Sequence, residues 1–292
     1  MFNGSFVALI TPFRDGRVDE KALRELVEFQ IAGGTNGLVP CGTTGESATM
    51  TEAEDELVIK TVVETARGRV PVVAGTGSND TRKAIEYTRM AQRVGADGAL
   101  LVTPYYNKPT QEGLFLHFQA VARATGLPLI LYNVPGRTSV NLLPDTVARL
   151  AQIENVVGIK EACGNVEQIS TVVKLCGPDF AVLSGDDALT LPILAVGGVG
   201  VISVAANVAP KPVADLCAAF LSGDVKRAQE LHYQLFDLFR AMFYETNPIP
   251  VKTAAGLMGL CSGEMRLPLC PMAEGNQRKL KEVLSVFGLL GR

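Results

Sequence analysis

A chain of 292 residues, 47% hydrophobic and 20% charged, is long enough to bury one large core or two ordinary ones. Its formal net charge of −3 comes without any lysine-rich or arginine-rich run, which removes the basic stripe a nucleic-acid backbone would need. The start, MFNGSFVALITPF, has no basic leader and meets Pro12 early, and no later run spans a membrane free of charge or turn residues, so a soluble, cytoplasmic protein is expected.

In chain order, short apolar runs alternate with amphipathic patterns. FVALIT (6–11) leads to DEKALRELVEFQIAGG, GLVP (37–40) to TEAEDELVIKTVVETARG, VPVVAG (70–75) to DTRKAIEYTRMAQRVG, and GALLVT (98–103) to TQEGLFLHFQAVARATG. LPLILYN (127–133), VVGIK (156–160), FAVLSG (180–185) and GVISVA (200–205) complete eight predicted strands. Several of the helical patterns open on Asp or Thr and close on glycine, as helix ends prefer. Eightfold strand and helix succession with right-handed crossovers predicts an α/β fold, a closed (β/α)8 barrel over residues 1–224, with an open doubly wound sheet as the alternative. Residues 225–292 read as three more helices, a C-terminal helical extension packed on the barrel.

The cysteines, Cys41, Cys163, Cys176, Cys217, Cys261 and Cys270, form no C-x-x-C pair, and His117 and His232 lie far apart. They read as small apolar residues of a reducing compartment rather than as a zinc site or disulfide framework. No metal or organic cofactor is expected.

The active site of such a barrel lies at the C-terminal ends of its strands. The residues just past the runs are polar there: CGTTGES (41–47), PYYNKPT (104–110), YNVPGRT (132–138), Lys160 and GDDA (185–188). Lys160 is the awkward one, because burial at the end of an apolar strand disfavours its charged form. A neutral amine is a nucleophile that can add to a ketone and form a Schiff base, whose protonated nitrogen acidifies the adjacent carbon. The plainer reading is a lysine snorkelling out at the rim. Thr43, Thr44, Tyr106 and Tyr132 set hydroxyls at neighbouring strand ends, and each can donate and accept, so together they can pass a proton. Taken singly, each reads as a satisfied rim hydroxyl. Arg137 follows the Pro135-Gly136 turn, where its planar fork suits either a substrate carboxylate or a surface ion pair. CGTTGES and VGGVGV match no phosphate-loop spacing, but the N–H groups of GTTGE suit a small carboxylate.

GTTGE, TPYYNKPTQEGL, YNVPGRT, VGIKEA, LSGDD and GVISVAAN, in this order, closely resemble the dihydrodipicolinate synthase family of bacterial lysine biosynthesis. That family belongs to the pyruvate-dependent class I aldolases, which include N-acetylneuraminate lyase. The resemblance covers almost all 292 positions. It implies that Lys160 forms a Schiff base with pyruvate, that Thr43 and Thr44 bind the pyruvate carboxylate region, and that Tyr132 donates and accepts the proton beside the imine. Thr44 would link Tyr132 to Tyr106, and Tyr106 would enter the site of a neighbouring subunit in a dimer or dimer of dimers. Arg137 would hold the carboxylate of aspartate 4-semialdehyde, while Gly185 and Ile202 would shape the pocket near the lysine. Sugar-acid aldolases of the superfamily generally lack the PGRT arginine.

Lysine-inhibited relatives bind lysine at a dimer interface, and matching positions here are Ser47, Ala48, Asn79 and Tyr105. Glu52 and Asp55 stand where sensitive relatives typically carry histidines, and Lys83 stands where they carry a glutamate. Lys83 would meet the ammonium of lysine with like charge, so weak or absent feedback is expected. Two rivals remain at the level of sequence: a sugar-acid lyase of the same superfamily, and a catalytically silent metabolite-binding paralogue.

Overall fold

Each predicted run becomes a strand of one parallel sheet in the computed structural model, which describes residues 2–290. The strands are β1 (Gly4–Ala8), β2 (Gly37–Val39), β3 (Val73–Gly75), β4 (Gly98–Val102), β5 (Leu129–Asn133), β6 (Val156–Glu161), β7 (Ala181–Ser184) and β8 (Gly200–Ser203). Their order is β2-β1-β8-β7-β6-β5-β4-β3. A parallel bridge from Leu38 to Val72, with the Leu38 N–H donating to the Pro71 carbonyl at 2.9 Å, brings the two ends of that order together. The sheet therefore closes on itself, and the open-sheet alternative falls.

The strands are shorter than the apolar runs for reasons of hydrogen bonding. Prolines 71 and 128 have no N–H to give a ladder, so the continuous strands begin beyond them, at Val73 and Leu129. At the other end of β1, the Ile10 N–H leaves the sheet for Asn207 Oδ1 at 3.0 Å. A small hairpin, Phe13–Arg14 with Arg17–Val18, was not predicted. Its signal was present in the sequence, since Asp15-Gly16, both at positive φ (51° and 75°), is a favoured two-residue hairpin turn.

Strand pleating sends alternate residues to opposite faces. Phe6, Val39, Val73, Leu100, Ile130, Leu183 and Ile202 fill the inside of the barrel. Val7, Leu38, Ala74, Leu101, Leu131, Ile159 and Val182 face the helical layer. That layer comprises α1 (Glu20–Ala32), α2 (Glu52–Ala66), α3 (Thr81–Arg93), α4 (Gln111–Ala124), α5 (Pro144–Leu150), α6 (Val166–Cys176), α7 (Thr190–Ala195) and α8 (Pro210–Leu221). The caps read from sequence form: Asp19, Thr51, Asp80 and Thr110 each accept from an N–H of the following turn, and Thr51 with Glu54 completes a capping box.

Beyond the ring lie α9 (Val225–Ala241), α10 (Ile249–Leu257) and α11 (Glu274–Val286). Leu231, Leu235, Phe239, Val251, Leu280 and Leu284 join the same buried cluster as the outer face of the barrel. The first residues of α10 do more than pack on the ring. They reach the mouth of the barrel.

Candidate active site

The C-terminal ends of the strands open into a cavity of about 430 Å³. Thr43, Tyr132, Val134, Arg137 and Thr138 line one part of it, and Ser47, Ala48, Asn79, Lys83 and Tyr105 line another. Tyr132, Thr43 and Arg137 of the predicted site thus share one cavity with the residues matched to lysine regulation, while Lys160, Thr44 and Tyr106 do not line it.

Lys160 is buried, 5% exposed, with Nζ 4.3 Å from the centroid of the ring of Tyr132, which lines this cavity. The strand dictates this: Ile159 points to the helical layer, so its neighbour Lys160 must point inward. Burial pulls the Lys160 pKa down to about 8, with the Asp187 carboxylate opposing and Arg137 assisting. About one amine in ten is then neutral at pH 7, against roughly one in a few thousand at an ordinary lysine pKa. Gly185 makes room for it, because a Cβ there would lie 3.1 Å from Lys160 Cε and 2.8 Å from the Ala162 Cβ. Ile202 is fully buried inside the barrel.

The Tyr132 phenol is raised by burial, while the charge of Arg137 and a hydrogen bond with Thr43 act against that rise. Thr44 is buried, and its Oγ1 accepts from Asn247 Nδ2 at 3.0 Å. The hydroxyl of Thr43 is one that borders the Tyr132 phenol. Tyr106 stands apart, 90% exposed and at φ 72°, in a loop held by Asn79 donating to the Tyr105 carbonyl at 3.2 Å and Asn107 donating to the Asn79 carbonyl at 2.9 Å. Arg137 is exposed at the mouth, where its Nη2 donates to the Asn247 carbonyl at 3.1 Å. Among the described residues no carboxylate lies within 4.0 Å of it, so the surface ion pair weighed from sequence does not form.

Two residues escaped the sequence reading. Asp187 is fully buried, accepts from Ser203 Oγ at 2.5 Å and from the N–H groups of Val204 and Ala205 at 3.0 Å, and supplies the negative charge that partly restores the Lys160 ammonium. Burial lifts its own pKa to about 6. The GDD run was the available signal. Asn247 bridges Thr44 and Arg137 from a distant part of the chain, and no local pattern marked it.

The Dihydrodipicolinate synthetase family matches residues 1–286. A protein of Geotalea uraniireducens named 4-hydroxy-tetrahydrodipicolinate synthase is 60% identical over 290 residues, 99% of this chain and 100% of that one. The crystal structure of dihydrodipicolinate synthase from Aquifex aeolicus is 54% identical and superposes with a TM-score of 0.97 over 99% of each chain. The chloride-inhibited dihydrodipicolinate synthase of Acinetobacter baumannii, solved in complex with pyruvate, is 48% identical with a TM-score of 0.97 over 99% of this chain and 100% of that one.

Proposed function

The chain belongs to the dihydrodipicolinate synthetase family, and from that premise we infer that it condenses pyruvate with L-aspartate 4-semialdehyde to 4-hydroxy-tetrahydrodipicolinate, on the route to diaminopimelate and lysine. The observation that carries the mechanism is Lys160: a buried amine near Tyr132, brought to a pKa of about 8, behind a mouth whose arginine has no carboxylate of its own.

Neutral Lys160 adds through Nζ to the C2 ketone of pyruvate, Tyr132 gives its phenolic proton to the departing oxygen, and water leaves behind the protonated imine and a Tyr132 phenolate. The positive nitrogen draws electrons from C3, and Tyr132 takes the C3 proton, leaving an enamine. That carbon bonds to the aldehyde carbon of the second substrate, and the aldehyde oxygen takes a proton from Tyr132. The substrate amine then attacks C2, closes the ring and releases Lys160. Thr43 and Thr44 hold the pyruvate carboxylate region, Arg137 takes the aldehyde's carboxylate through its fork, and Gly185 and Ile202 shape the pocket at the lysine.

We place the enzyme in the cytoplasm, assembled as a dimer or a dimer of dimers. Among the described residues no helix is long and apolar enough to cross a membrane. The assembly is supported by Tyr106, whose ring its own chain leaves bare. Thr44 would complete the relay to Tyr106 only when the ring arrives from a second subunit.

Feedback by lysine should be weak. Lys83 lines the cavity with Ser47, Ala48, Asn79 and Tyr105, and it faces any ligand ammonium with like charge. Inhibition by sub-millimolar lysine in an activity titration would contradict this.

The test of the reaction is borohydride reduction with pyruvate followed by mass mapping, paired with product formation from aspartate semialdehyde. An adduct on Lys160 and turnover of the semialdehyde are expected. An adduct with turnover only of sugar aldehydes would assign a sugar-acid lyase, and no adduct would leave a silent binding protein.

A further inference from the structure

A buried ion pair ties the loop of Thr43 and Thr44 to the C-terminal helices, and we propose that this pair, Glu46 with Lys252, is the positioning element of the catalytic mouth. The inference rests on the functional reading above.

Glu46 adopts φ 57°, a left-handed conformation that glycine takes freely and glutamate does not. A glutamate at such a position points to a use for its side chain. Its backbone closes the loop, with its N–H donating to the Thr43 carbonyl at 3.1 Å and its carbonyl accepting from Thr49 N and Thr49 Oγ1 at 3.0 Å. Its side chain runs the other way. Oε1 accepts from Lys252 Nζ, and Oε2 accepts from the Arg266 N–H at 3.1 Å. Both side chains of the pair are 0% exposed, and Lys252 Nζ also lies 4.0 Å from the centroid of the Phe13 ring.

Lys252 sits on α10, and Asn247 lies just before that helix. Asn247 donates to Thr44 Oγ1 and accepts from Arg137. Residues 247–252 thus grip the loop at Thr44 and Glu46 and hold Arg137 as well. The contacts join positions 203, 206 and 110 residues apart. One short piece of chain sets the distance between the group that orients pyruvate and the group that receives the aldehyde.

Stability alone does not explain a charge pair here. Desolvating two ions offsets most of their attraction, and an apolar pair of similar volume is often as stable. What the pair adds is direction, because an ammonium and a carboxylate between fixed backbones tolerate few geometries. Glu46 and Lys252 act through Thr43 and Thr44 and touch neither substrate.

The test compares wild type with Glu46→Gln, Lys252→Met and the double variant E46Q/K252M. Removing both partners spares the fold the unpaired buried charge that either single change leaves. We expect the double variant to melt close to wild type and still form the Lys160 adduct with pyruvate. Its kcat should fall about ten- to a hundredfold, as a displacement near 1 Å produces, while KM for the aldehyde changes by less than about threefold. Should the double variant not fold, Glu46→Gln or Lys252→Met assayed well below its melting temperature reads the same split. Wild-type kcat and KM in a folded variant would overturn the proposal. So would a loss of kcat that only tracks the unfolded fraction, or a loss of adduct, since the pair does not touch Lys160. Wild-type enzyme without turnover would instead defeat the functional reading.

Discussion

Lys160 and Glu161 are consecutive residues on β6, yet they face different regions of the molecule. Lys160 pairs across the sheet with Tyr132 and Leu183 and looks into the barrel, while Glu161 pairs with Asn133 and Ser184 and looks into the helical layer. Both are nearly inaccessible, at 5% and 1% exposure. Burial pushes each toward its neutral form, the lysine down to about 8 and the glutamate up to about 7. Only their surroundings differ. Inside, Lys160 lies against the ring of Tyr132, which lines the cavity. Outside, the amides of Asn133, Asn141 and Gln168 bond to one another, and both Glu161 oxygens are left without a hydrogen-bond partner. Desolvation makes a group neutral; the face of the sheet decides whether a substrate can reach it.

The contrast breaks most sharply at Lys160. Lys160→Ala should lower kcat/KM by at least about a thousandfold and abolish the borohydride adduct, because no other group on that face can form the imine. Retention of more than a tenth of the activity would show that the inward amine is not the nucleophile.

Tyr106 extends the comparison to a residue that neither face of its own chain accommodates. Tyr106→Ala should cost about a hundredfold in kcat through loss of the relay. Mixed with Lys160→Ala subunits, it should recover about a quarter of wild-type activity, since half of random dimers then carry one complete site of two. No recovery on mixing would place the Tyr106 hydroxyl outside the neighbour's site.

The pH profile reads the inner face directly. The neutral amine is the reactive form, so kcat/KM for pyruvate should rise about tenfold per pH unit below the Lys160 pKa and level off above about pH 8. Asp187→Asn removes the anion that holds that value up, so the bend should move to lower pH. An unmoved bend, or one moved upward, would mean that the limb does not report Lys160.

Much of this was legible in the sequence. Eight apolar runs gave the barrel, because a strand buried on both faces is local and continuous, and Lys160 stood out as the charged residue closing one of them. Tyr132, Thr43 and Arg137 lay at comparable strand ends and do gather at the cavity. What could not be read was pairing across distance. Nothing near Glu46 announces Lys252, and nothing near Thr44 announces Asn247, because those contacts exist only once α10 folds over the mouth. Asp187 lay in plain view in GDD, yet its effect on Lys160 depends on a strand spacing that periodicity does not supply.

Glu161 gives the smallest effect and the most discriminating one. Its folded pKa, about 7, stands above the ordinary carboxyl value of 4.5, so the folded state binds the proton more tightly than the unfolded chain. The stability this linkage provides is fully present below about pH 4.5 and is lost as pH rises through 7, where the buried acid must ionise away from water. At pH 8 the loss is at most about 3 kcal/mol. Glu161→Gln keeps the shape and cannot ionise. It should therefore match wild type near pH 5 and melt higher at pH 8, by on the order of 5 °C. Its kcat/KM should stay within about twofold of wild type, because the side chain lies on the sealed side of the sheet. Melting curves at the two pH values, beside one rate assay, measure all of this. An equal gain at both pH values would remove the ionisation argument. A fall in rate would mean that the outer face couples to the chemistry after all, and the separation between these neighbouring residues would be lost.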